Sequence, residues 1–340
     1  MIDIVIATYN RFEKAENLAL NLLSIGGDFV NKIIIVDSTD NQVPKKLKSE
    51  KLIHLITQHK NQPYQRFLGF NFSGSDWLLY LDDDMEAIHD DLFEKLEGYI
   101  RDKNGVGFAL NHVDAHQSTS LAAVPKSQMF GKLSWLKKIK NIISGFPDLK
   151  PGKLGLNGNK GKQPEDEGIT EFVSGGSFLV NRKAMYQNFN FQMFDLYEDK
   201  SGKGEDSITG YSISKQGALI HIPEVLFRHN DQQNSTYSSN LENFATRVIF
   251  SRLFLTLEKC RLDGKSIFLG RFSYHWFALW RIIGLIFNYA HDRSSKRKSM
   301  IKGALKGWKK SIRFKFDSQL FRNLYWENEV KEEMARINNK

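Results

Sequence analysis

The sequence of 340 residues predicts an α/β protein with an open, mostly parallel sheet flanked by helices and with a helical C-terminal extension. Short apolar runs alternate with helix-like stretches over the first hundred residues. The runs are 2–7, 32–37, 52–57 and 76–82, and the helix-like stretches are 12–25, 63–73 and 89–101. Runs rich in β-branched residues and Leu are typical of strands buried on both faces of a parallel sheet. A hydrophobic content of 41% is sufficient for a sizeable core.

The second part of the chain is less regular. Residues 112–170 carry mostly loop signals, above all the Gly/Lys/Asn-rich stretch 152–168, for which we expect a long, partly mobile excursion near a site. Strand patterns return at 171–180 and 218–227, with a helix near 206–216 between them, and after about residue 240 the pattern is helical. We therefore divide the chain into segments 1–110, 111–235 and 236–340.

The net charge of +9 comes from one region. Between Arg293 and Lys315 there are ten basic residues and no acidic one, so the remainder is almost neutral and no nucleic-acid partner is expected. Cys260 is the single cysteine, which excludes an internal disulfide and a Cys-based zinc site and favours a reducing compartment. The first ten residues resemble a strand and lack a basic leader, so we expect a cytoplasmic protein.

Polar side chains follow three of the predicted strands. In open parallel sheets, ligands bind beyond the carboxyl ends of the strands, so these side chains should meet at one edge. They are Thr8, Tyr9, Asn10 and Arg11 after the first strand, Asp37 after the second, and Asp82, Asp83 and Asp84 after the fourth.

The first strand is followed by neither a G-x-G-x-x-G turn nor a G-x-x-x-x-G-K-[ST] loop, which argues against a Rossmann dehydrogenase and a P-loop NTPase. Without a glycine loop, phosphates would need a divalent cation, which Asp82 and Asp84 could hold. The structural alternative is a solvated turn or a helix N-cap before 89–101.

A second acidic pair, Glu205 and Asp206, opens the predicted helix after residue 204. Acidic residues at a helix N-terminus are favoured by the helix dipole, which could account for the pair without any function. The functional alternative makes Asp206 a general base that takes the proton of an acceptor hydroxyl while that oxygen attacks.

Two further features adjoin predicted strands. His229 follows 218–227 and is either a packed residue or a third metal ligand beside Asp84, in which case Mn²⁺ is as acceptable as Mg²⁺. Gly175 and Gly176 serve either a turn or the close approach of the backbone to a ligand.

Six ordered motifs carry a resemblance to a known family. IVIATYNR, IIIVDSTDN, QRFLGFN with DWLLYLDDDM, FVSGGSFLV, GEDSITGYSISKQG and IPEVLFRHN resemble family 2 glycosyltransferases of the GT-A fold over about residues 1–230. The resemblance implies an inverting transferase that uses a nucleotide-diphosphate sugar and a divalent metal, Mn²⁺ or Mg²⁺. It makes 1–110 the nucleotide-sugar-binding half and 111–235 the acceptor-side half, which carries the base.

The resemblance also implies roles for residues. Asp206 matches the catalytic base, while Asp82, Asp84 and His229 match the metal ligands. The positions that match donor-binding residues are Thr8, Tyr9, Asn10, Arg11, Asp37, Arg66, Asp82, Asp83, Gly175, Gly176 and Glu205.

This sequence departs from the family pattern in two respects that bear on the kind of product made. The Q-x-x-R-W motif of processive synthases and multiple transmembrane helices are absent from the sequence, which favours a non-processive enzyme of surface polysaccharide synthesis with a glycan or lipid-linked glycan acceptor. The alternatives are a nucleotidyltransferase and a catalytically inactive GT-A-like binding module that uses its basic tail.

The stretch 267–290 raises the question of membrane contact. Arg271, His275 and Arg281 interrupt it, which disfavours a spanning helix. Its aromatic residues and the cations that follow are typical of a helix that lies at the surface of an anionic bilayer. We therefore expect residues 267–315 to contact the inner face of the plasma membrane. The alternative is that the aromatic rings pack on the catalytic domain. They are Phe268, Phe272, Tyr274, Trp276, Phe277 and Trp280.

Overall fold

The computed structural model describes residues 1–40, 47, 49–114, 149–230, 240–317 and 324–338. In this part of the chain the strands form one mixed sheet of nine strands in the order β3-β2-β1-β4-β8-β6-β9-β5, with β7 paired to β9. Their bounds are β1 Ile2–Thr8, β2 Val30–Asp37, β3 Leu52–Ile56, β4 Trp77–Asp82, β5 Met85–Ala87, β6 Gly107–Asp114, β7 Gly168–Ile169, β8 Ser177–Asn181 and β9 Leu219–His229.

The parallel half of the sheet confirms the expectation from the apolar runs. β1 pairs in parallel with both β2 and β4, and β2 with β3. All seven residues of β1 are buried, with Val5 in one core cluster and Ile4 and Ile6 in the other. The register places Thr8 beside Asp37 and Ala7 beside Asp82, so the polar residues after these strands do reach the same edge.

The other half of the sheet is mixed. β8 is antiparallel to both β4 and β6, while β9 is parallel to β6 and antiparallel to β5. The strands β5, β6 and β7 were not predicted, because three short or Gly- and Asn-containing segments give little periodicity. The strand expected over 171–180 begins only at Ser177, since the residues before it turn toward the acidic side chains at the edge of the sheet.

Helices cover both faces of the sheet. α1 and α3 pack on the face of Ile4 and Ile6, whereas α2, α4 and α5 pack on the face of Val5. The bounds in the described chain are α1 Phe12–Gly26, α2 Gln62–Phe72, α3 Leu92–Asp102, α4 Gln192–Glu198, α5 Glu205–Ser214, α6 Leu241–Leu262, α7 Ile267–His291, α8 Ser295–Ile312 and α9 Leu324–Asn338.

The C-terminal helices confirm the predicted helical extension. α6, α7 and α8 share a core of their own, which includes Leu253, Phe277 and Ala304. α9 returns to the sheet domain, where Trp326 is 1% exposed and packs against Tyr64 and Phe194. The last helix therefore stabilises the N-terminal half of the protein rather than extending away from it.

α7 has two apolar faces. One packs inward through Tyr274 and Phe277, while the other leaves Phe268, Phe272 and Trp276 exposed. Within the described ranges, no helix is long and apolar enough to cross a membrane. The inward rings therefore pack on the neighbouring C-terminal helices rather than on the catalytic domain, and contact of the exposed face with a membrane stays a prediction.

The predicted excursion over 112–170 is described only in part. Residues 112–114 belong to β6, and residues 115–148 lie outside the described residues. The Gly/Lys/Asn-rich stretch is held against α6, where Arg252 donates to the carbonyl of Asn157 at 2.9 Å. Gly158, with φ of +68°, allows the turn that returns the chain toward Lys160.

Candidate functional site

The acidic turn, residues 82–84, lies at the end of β4 and is contacted by residues at the end of β1. Because β1 and β4 are adjacent and parallel, Thr8 lies next to the turn and its hydroxyl donates to Asp83 Oδ2 at 2.6 Å. The guanidinium of Arg11 contacts two of the three carboxylates: its NH2 lies 2.7 Å from Asp83 Oδ1 and its NH1 lies 3.0 Å from Asp84 Oδ2. Burial raises the pKa of Asp83 to about 6, despite the contacts with Thr8 and Arg11.

Asp84 and His229 face each other across the end of β9. The antiparallel pairing of β5 with β9 aligns Met85 with His229 and brings the imidazole Nε2 to 3.2 Å from Asp84 Oδ1. Burial alone would raise the pKa of Asp84, but the contacts with His229 and Arg11 outweigh it and the pKa is lowered. Asp84 is therefore held as a carboxylate, as a metal ligand must be.

Arg66 of α2 joins the acidic turn to the second acidic pair. Its guanidinium NH2 lies 2.9 Å from Asp82 Oδ1 and 2.7 Å from the carbonyl of Gly175, while its NH1 lies 4.0 Å from Glu205 Oε1. Gln62, one turn earlier on the same helix, donates to the same Asp82 oxygen at 2.7 Å. Burial raises the pKa of Asp82, and Arg66 opposes that rise.

The second acidic pair opens α5. Gly204, with φ of +86°, precedes the helix and is followed directly by Glu205 and Asp206. Lys160 Nζ lies 2.5 Å from Asp206 Oδ2, and the hydroxyl of Tyr197 donates to Glu205. Burial, and then the nearby charge of Asp206, raises the pKa of Glu205 to about 7. At neutral pH, the Glu205 carboxyl group is therefore partly protonated.

Gly175 and Gly176 lie between the two acidic clusters. A Cβ on Gly175 would lie 3.6 Å from Asp206 Oδ2, and a Cβ on Gly176 would lie 3.0 Å from the sulfur of Met85. The carbonyl of Gly176 accepts a hydrogen bond of 3.0 Å from the backbone N–H of Asp82. A side chain at Gly175 would thus make only ordinary contact with Asp206, whereas at Gly176 it would be crowded against Met85, so close packing before β8 favours glycine at Gly176.

The predicted nucleotide-binding residues after β1 and β2 differ in exposure: Thr8 and Asp37 are buried, whereas Tyr9, Asn10 and Arg11 are exposed. Asp37 is fully buried, accepts from the backbone of Thr39 at 2.8 Å and faces His54 at 3.6 Å. Tyr9 is exposed, and Asn10 has φ of +57°. The roles of these residues in donor binding remain predictions.

A cavity of about 480 Å³ opens beside Asp206. Four basic side chains that the sequence did not single out line it: Lys160, Lys203, Arg247 and Arg252. They come from an irregular loop, from the segment before α5 and from α6, so no local spacing connects them. The stretch 152–168 was nevertheless expected near a site, and Lys160 places it there.

Of the three residues proposed to hold a metal, the structure brings two into contact. Among the residues that the structure describes, no group of three or more His, Cys, Asp and Glu side chains is arranged to hold a metal ion. Asp84 and His229 do fit a divalent cation by donor type, since a buried carboxylate oxygen and an imidazole nitrogen lie 3.2 Å apart and both are ligands that such a cation accepts. Asp82, the third proposed ligand, instead accepts from Arg66 and Gln62.

Two solved structures are distantly similar to this chain. Residues 1–349 of TarS from S. aureus align with a TM-score of 0.48 and 10% identity, covering 100% of this chain and 92% of that one. The mannosyltransferase PcManGT from Pyrobaculum calidifontis, in complex with GDP-Man and Mn²⁺, aligns with a TM-score of 0.45 and 10% identity, covering 92% and 87%. Similarity at this level assigns no activity, substrate or metal to the chain. No curated protein matches the sequence at a significant level.

The family comparison is stronger. The model of glycosyl transferase family 2 matches residues 3–189, which is more than half of the chain. The match includes β1, the acidic turn, Arg66 and the glycine pair, and it ends before Asp206 and His229. With the observed sheet and its flanking helices, it confirms the GT-A class that the motifs implied: this chain belongs to glycosyl transferase family 2 and is a glycosyltransferase.

Proposed function

We propose that this protein is an inverting, non-processive glycosyltransferase that moves a sugar from a nucleotide-diphosphate sugar to a hydroxyl of a glycan or lipid-linked glycan. The contact of one guanidinium with both acidic clusters is the observation that carries the proposal. Arg66 lies 2.9 Å from Asp82 and 4.0 Å from Glu205, so the donor side and the candidate base belong to one site.

The chemistry assigned to the chain is a single displacement. Asp206 accepts the proton of the acceptor hydroxyl while the hydroxyl oxygen bonds to the anomeric carbon. At the same carbon, the bond to the diphosphate breaks and the nucleoside diphosphate leaves with the bonding electron pair. Because the oxygen attacks opposite the leaving group, the anomeric configuration inverts. Lys160 Nζ, at 2.5 Å from Asp206 Oδ2, helps to fix the position of this carboxylate.

Asp84 and His229, with Asp82 beside them, are the residues that would hold Mn²⁺ or Mg²⁺. When bound, such a cation would offset the charge that develops on the leaving diphosphate. The supporting observation is the composition of the cluster around the turn. Three successive carboxylates are contacted by Arg11 and Arg66, an arrangement that favours one further cation.

Two alternative functions are less well supported. A nucleotidyltransferase would share metal aspartates, but the family match favours glycosyl transfer. An inactive binding module would have no need for a carboxylate held by a lysine beside a cavity, as Asp206 is by Lys160.

A donor panel tests the proposal. Wild-type protein with Mn²⁺ should bind one or more uridine- or guanosine-diphosphate sugars in calorimetry and slowly release free nucleoside diphosphate. Asp84→Ala should weaken both Mn²⁺ binding and donor binding, whereas Asp90→Ala, an exposed acid in the next loop, should change neither. Absence of binding and of turnover with every donor would overturn the proposed function.

We also propose that the exposed face of α7 contacts an anionic bilayer. Phe268 is 77% and Phe272 66% exposed, one turn apart on a face that ends beside the basic helix α8. Apolar side chains beside cations suit the interface of a membrane that carries negative lipids. This placement at the inner face of the plasma membrane would suit a lipid-linked acceptor.

Sedimentation with vesicles tests the membrane proposal. The double variant Phe268→Ser, Phe272→Ser should bind vesicles of phosphatidylcholine with phosphatidylglycerol several-fold more weakly than wild type. Ile169→Ser with Tyr325→Ser, which removes two exposed apolar side chains elsewhere, should bind like wild type. Equal partitioning of all three proteins would contradict it.

A further inference from the structure

A second cavity adjoins the one beside Asp206. The second cavity has a volume of about 700 Å³ and lies between the end of α4, the start of α6 and the last turns of α8. Residues 199–201 line the second cavity and residues 202–207 line the first, so one uninterrupted segment forms the wall of both. Arg247 lines both cavities as well. The two adjoining cavities are here called the basic groove, and the carboxylate of Asp206 lies in the lining of the first.

The basic groove is lined by nine cations and three acids. Two of the acids are Glu205 and Asp206, and the third is Asp199 at the far end. The cations near Asp206 are Lys160, Lys203, Arg247 and Arg252; those farther away are Lys200, Lys306, Lys309, Lys310 and Arg313. Beyond the catalytic pair, the groove is therefore almost entirely positive.

Several of these cations are fixed in position. Arg247 donates to the carbonyl of Gly202 through Nε at 3.3 Å and NH2 at 3.0 Å, and Arg252 donates to that of Asn157 at 2.9 Å. Burial, followed by the like charge of Arg247, lowers the pKa of Lys203. Positive charges held close together in a partly buried groove repel one another, and a bound anion relieves that repulsion.

We infer that the acceptor is a negatively charged glycan chain that lies along the basic groove. This inference rests on the proposed function, because it places the reacting hydroxyl at Asp206. Phosphate or carboxylate groups next to that hydroxyl contact Arg247 and Lys203, and groups farther along the chain contact the cations of α8. A neutral glycan would leave the repulsion in the groove in place.

The lining favours a charged glycan over a nucleic acid. Single-stranded nucleic acids are held by open aromatic faces on which bases stack. Of the aromatic residues in the described lining, Tyr197 is buried and donates to Glu205, and Lys203 Nζ lies 5.0 Å above the ring of Phe244. The groove thus offers charge along its length without a stacking surface.

Two triple variants, in α8 and at Arg313 directly after it, test the inference with matched loss of charge. The groove variant is Lys306→Gln, Lys309→Gln, Arg313→Gln, all exposed residues of the basic groove. The control variant is Lys296→Gln, Lys298→Gln, Lys302→Gln, equally exposed residues of the same helix that do not line the groove. Thermal melting checks that both variants fold like wild type.

The probe is a short fluorescent inorganic polyphosphate, with binding followed by anisotropy. The groove variant should bind about tenfold or more weakly than wild type at low salt, and the slope of log K against log salt should fall by about 2. The control variant should keep most of the affinity. Equal loss in both variants, or no binding by wild type, would overturn the inference.

A second readout uses pairs of oligosaccharide acceptors that differ only in a phosphate or carboxylate group. The groove variant should raise KM for the charged acceptors with kcat unchanged, and donor hydrolysis should stay at the wild-type rate. Preference of the wild type for the neutral members would refute the inference, although the proposed glycosyl transfer would stand. Absence of donor turnover in the wild type would remove the proposed function itself and the acceptor assignment with it.

Discussion

Replacing Arg66 by Met should destabilise the protein strongly at high pH and much less at low pH. The guanidinium is buried and lies 2.9 Å from Asp82 and 4.0 Å from Glu205. At an effective dielectric constant of about 20, a pair of unit charges 4 Å apart interacts by about 4 kcal/mol. Desolvation of the charges opposes that gain. We therefore expect Arg66→Met to lower the free energy of unfolding by roughly 3–5 kcal/mol, the usual cost when a buried ion pair loses one partner.

The pH dependence follows from the two carboxyl groups left behind. The pKa of Glu205 is already raised to about 7 by burial and by Asp206, and removal of Arg66 raises it further. At pH 5 Glu205 is protonated and part of the uncompensated negative charge is lost, so the destabilisation should shrink. Urea unfolding at pH 8 and pH 5 measures both values, with Arg101→Met, an exposed arginine of α3, as a control that should stay near wild type. Equal stability of Arg66→Met and wild type at pH 8 would refute the reasoning.

Three further predictions concern single positions. Trp326→Ala should lower the free energy of unfolding by about 3–5 kcal/mol, because the ring is buried against Tyr64 and Phe194; the exposed neighbour Tyr325→Ala should cost much less in the same urea titration. Glu205→Gln should flatten the pH dependence of the free energy of unfolding. The pKa of Glu205 is about 7 in the folded protein and 4.5 in the unfolded chain, so the folded state binds more protons in this range. The free energy of unfolding of the wild type should therefore fall by about 3 kcal/mol as the pH rises from 4.5 to 7, and that of the variant should not. An unchanged pH profile in the variant would contradict this. Gly210→Ala should lower the free energy of unfolding by about 1–3 kcal/mol, because the added Cβ would lie 2.6 Å from the backbone nitrogen of Val173. Gly98→Ala is the control: this glycine has open space around it in α3, so the substitution should stabilise the protein by up to about 1 kcal/mol. Thermal or urea unfolding measures both values.

The parallel half of the fold was predictable because each of its strands is buried on both faces. The apolar runs at 2–7 and 76–82 coincide with β1 and β4 to within a residue or two. The mixed half was not predictable by the same means. β5 has three residues and β7 two, and such strands exist only because β9 is present to pair with them.

The candidate site shows the same division. The acidic turn and Asp206 were found from the sequence, because each lies next to a recognisable strand or helix. Lys160 and Arg247 were not, because they approach Asp206 only after the loop and α6 have folded against each other. In the sequence, the ten cations after residue 292 indicated either contact with an anionic membrane or a solvated face, whereas in the structure Lys306, Lys309 and Lys310 line the basic groove.

The most direct test of the central claim compares donor binding with turnover in Asp206→Asn. The substitution keeps the size of the side chain and removes its ability to accept a proton. Calorimetry should show nucleotide-sugar binding close to that of wild type, while transfer to an acceptor should fall by about 10²-fold or more. Asp166→Asn, an exposed acid outside the cavity, should retain both properties. Transfer at the wild-type rate by Asp206→Asn would contradict the assignment of Asp206 as the base.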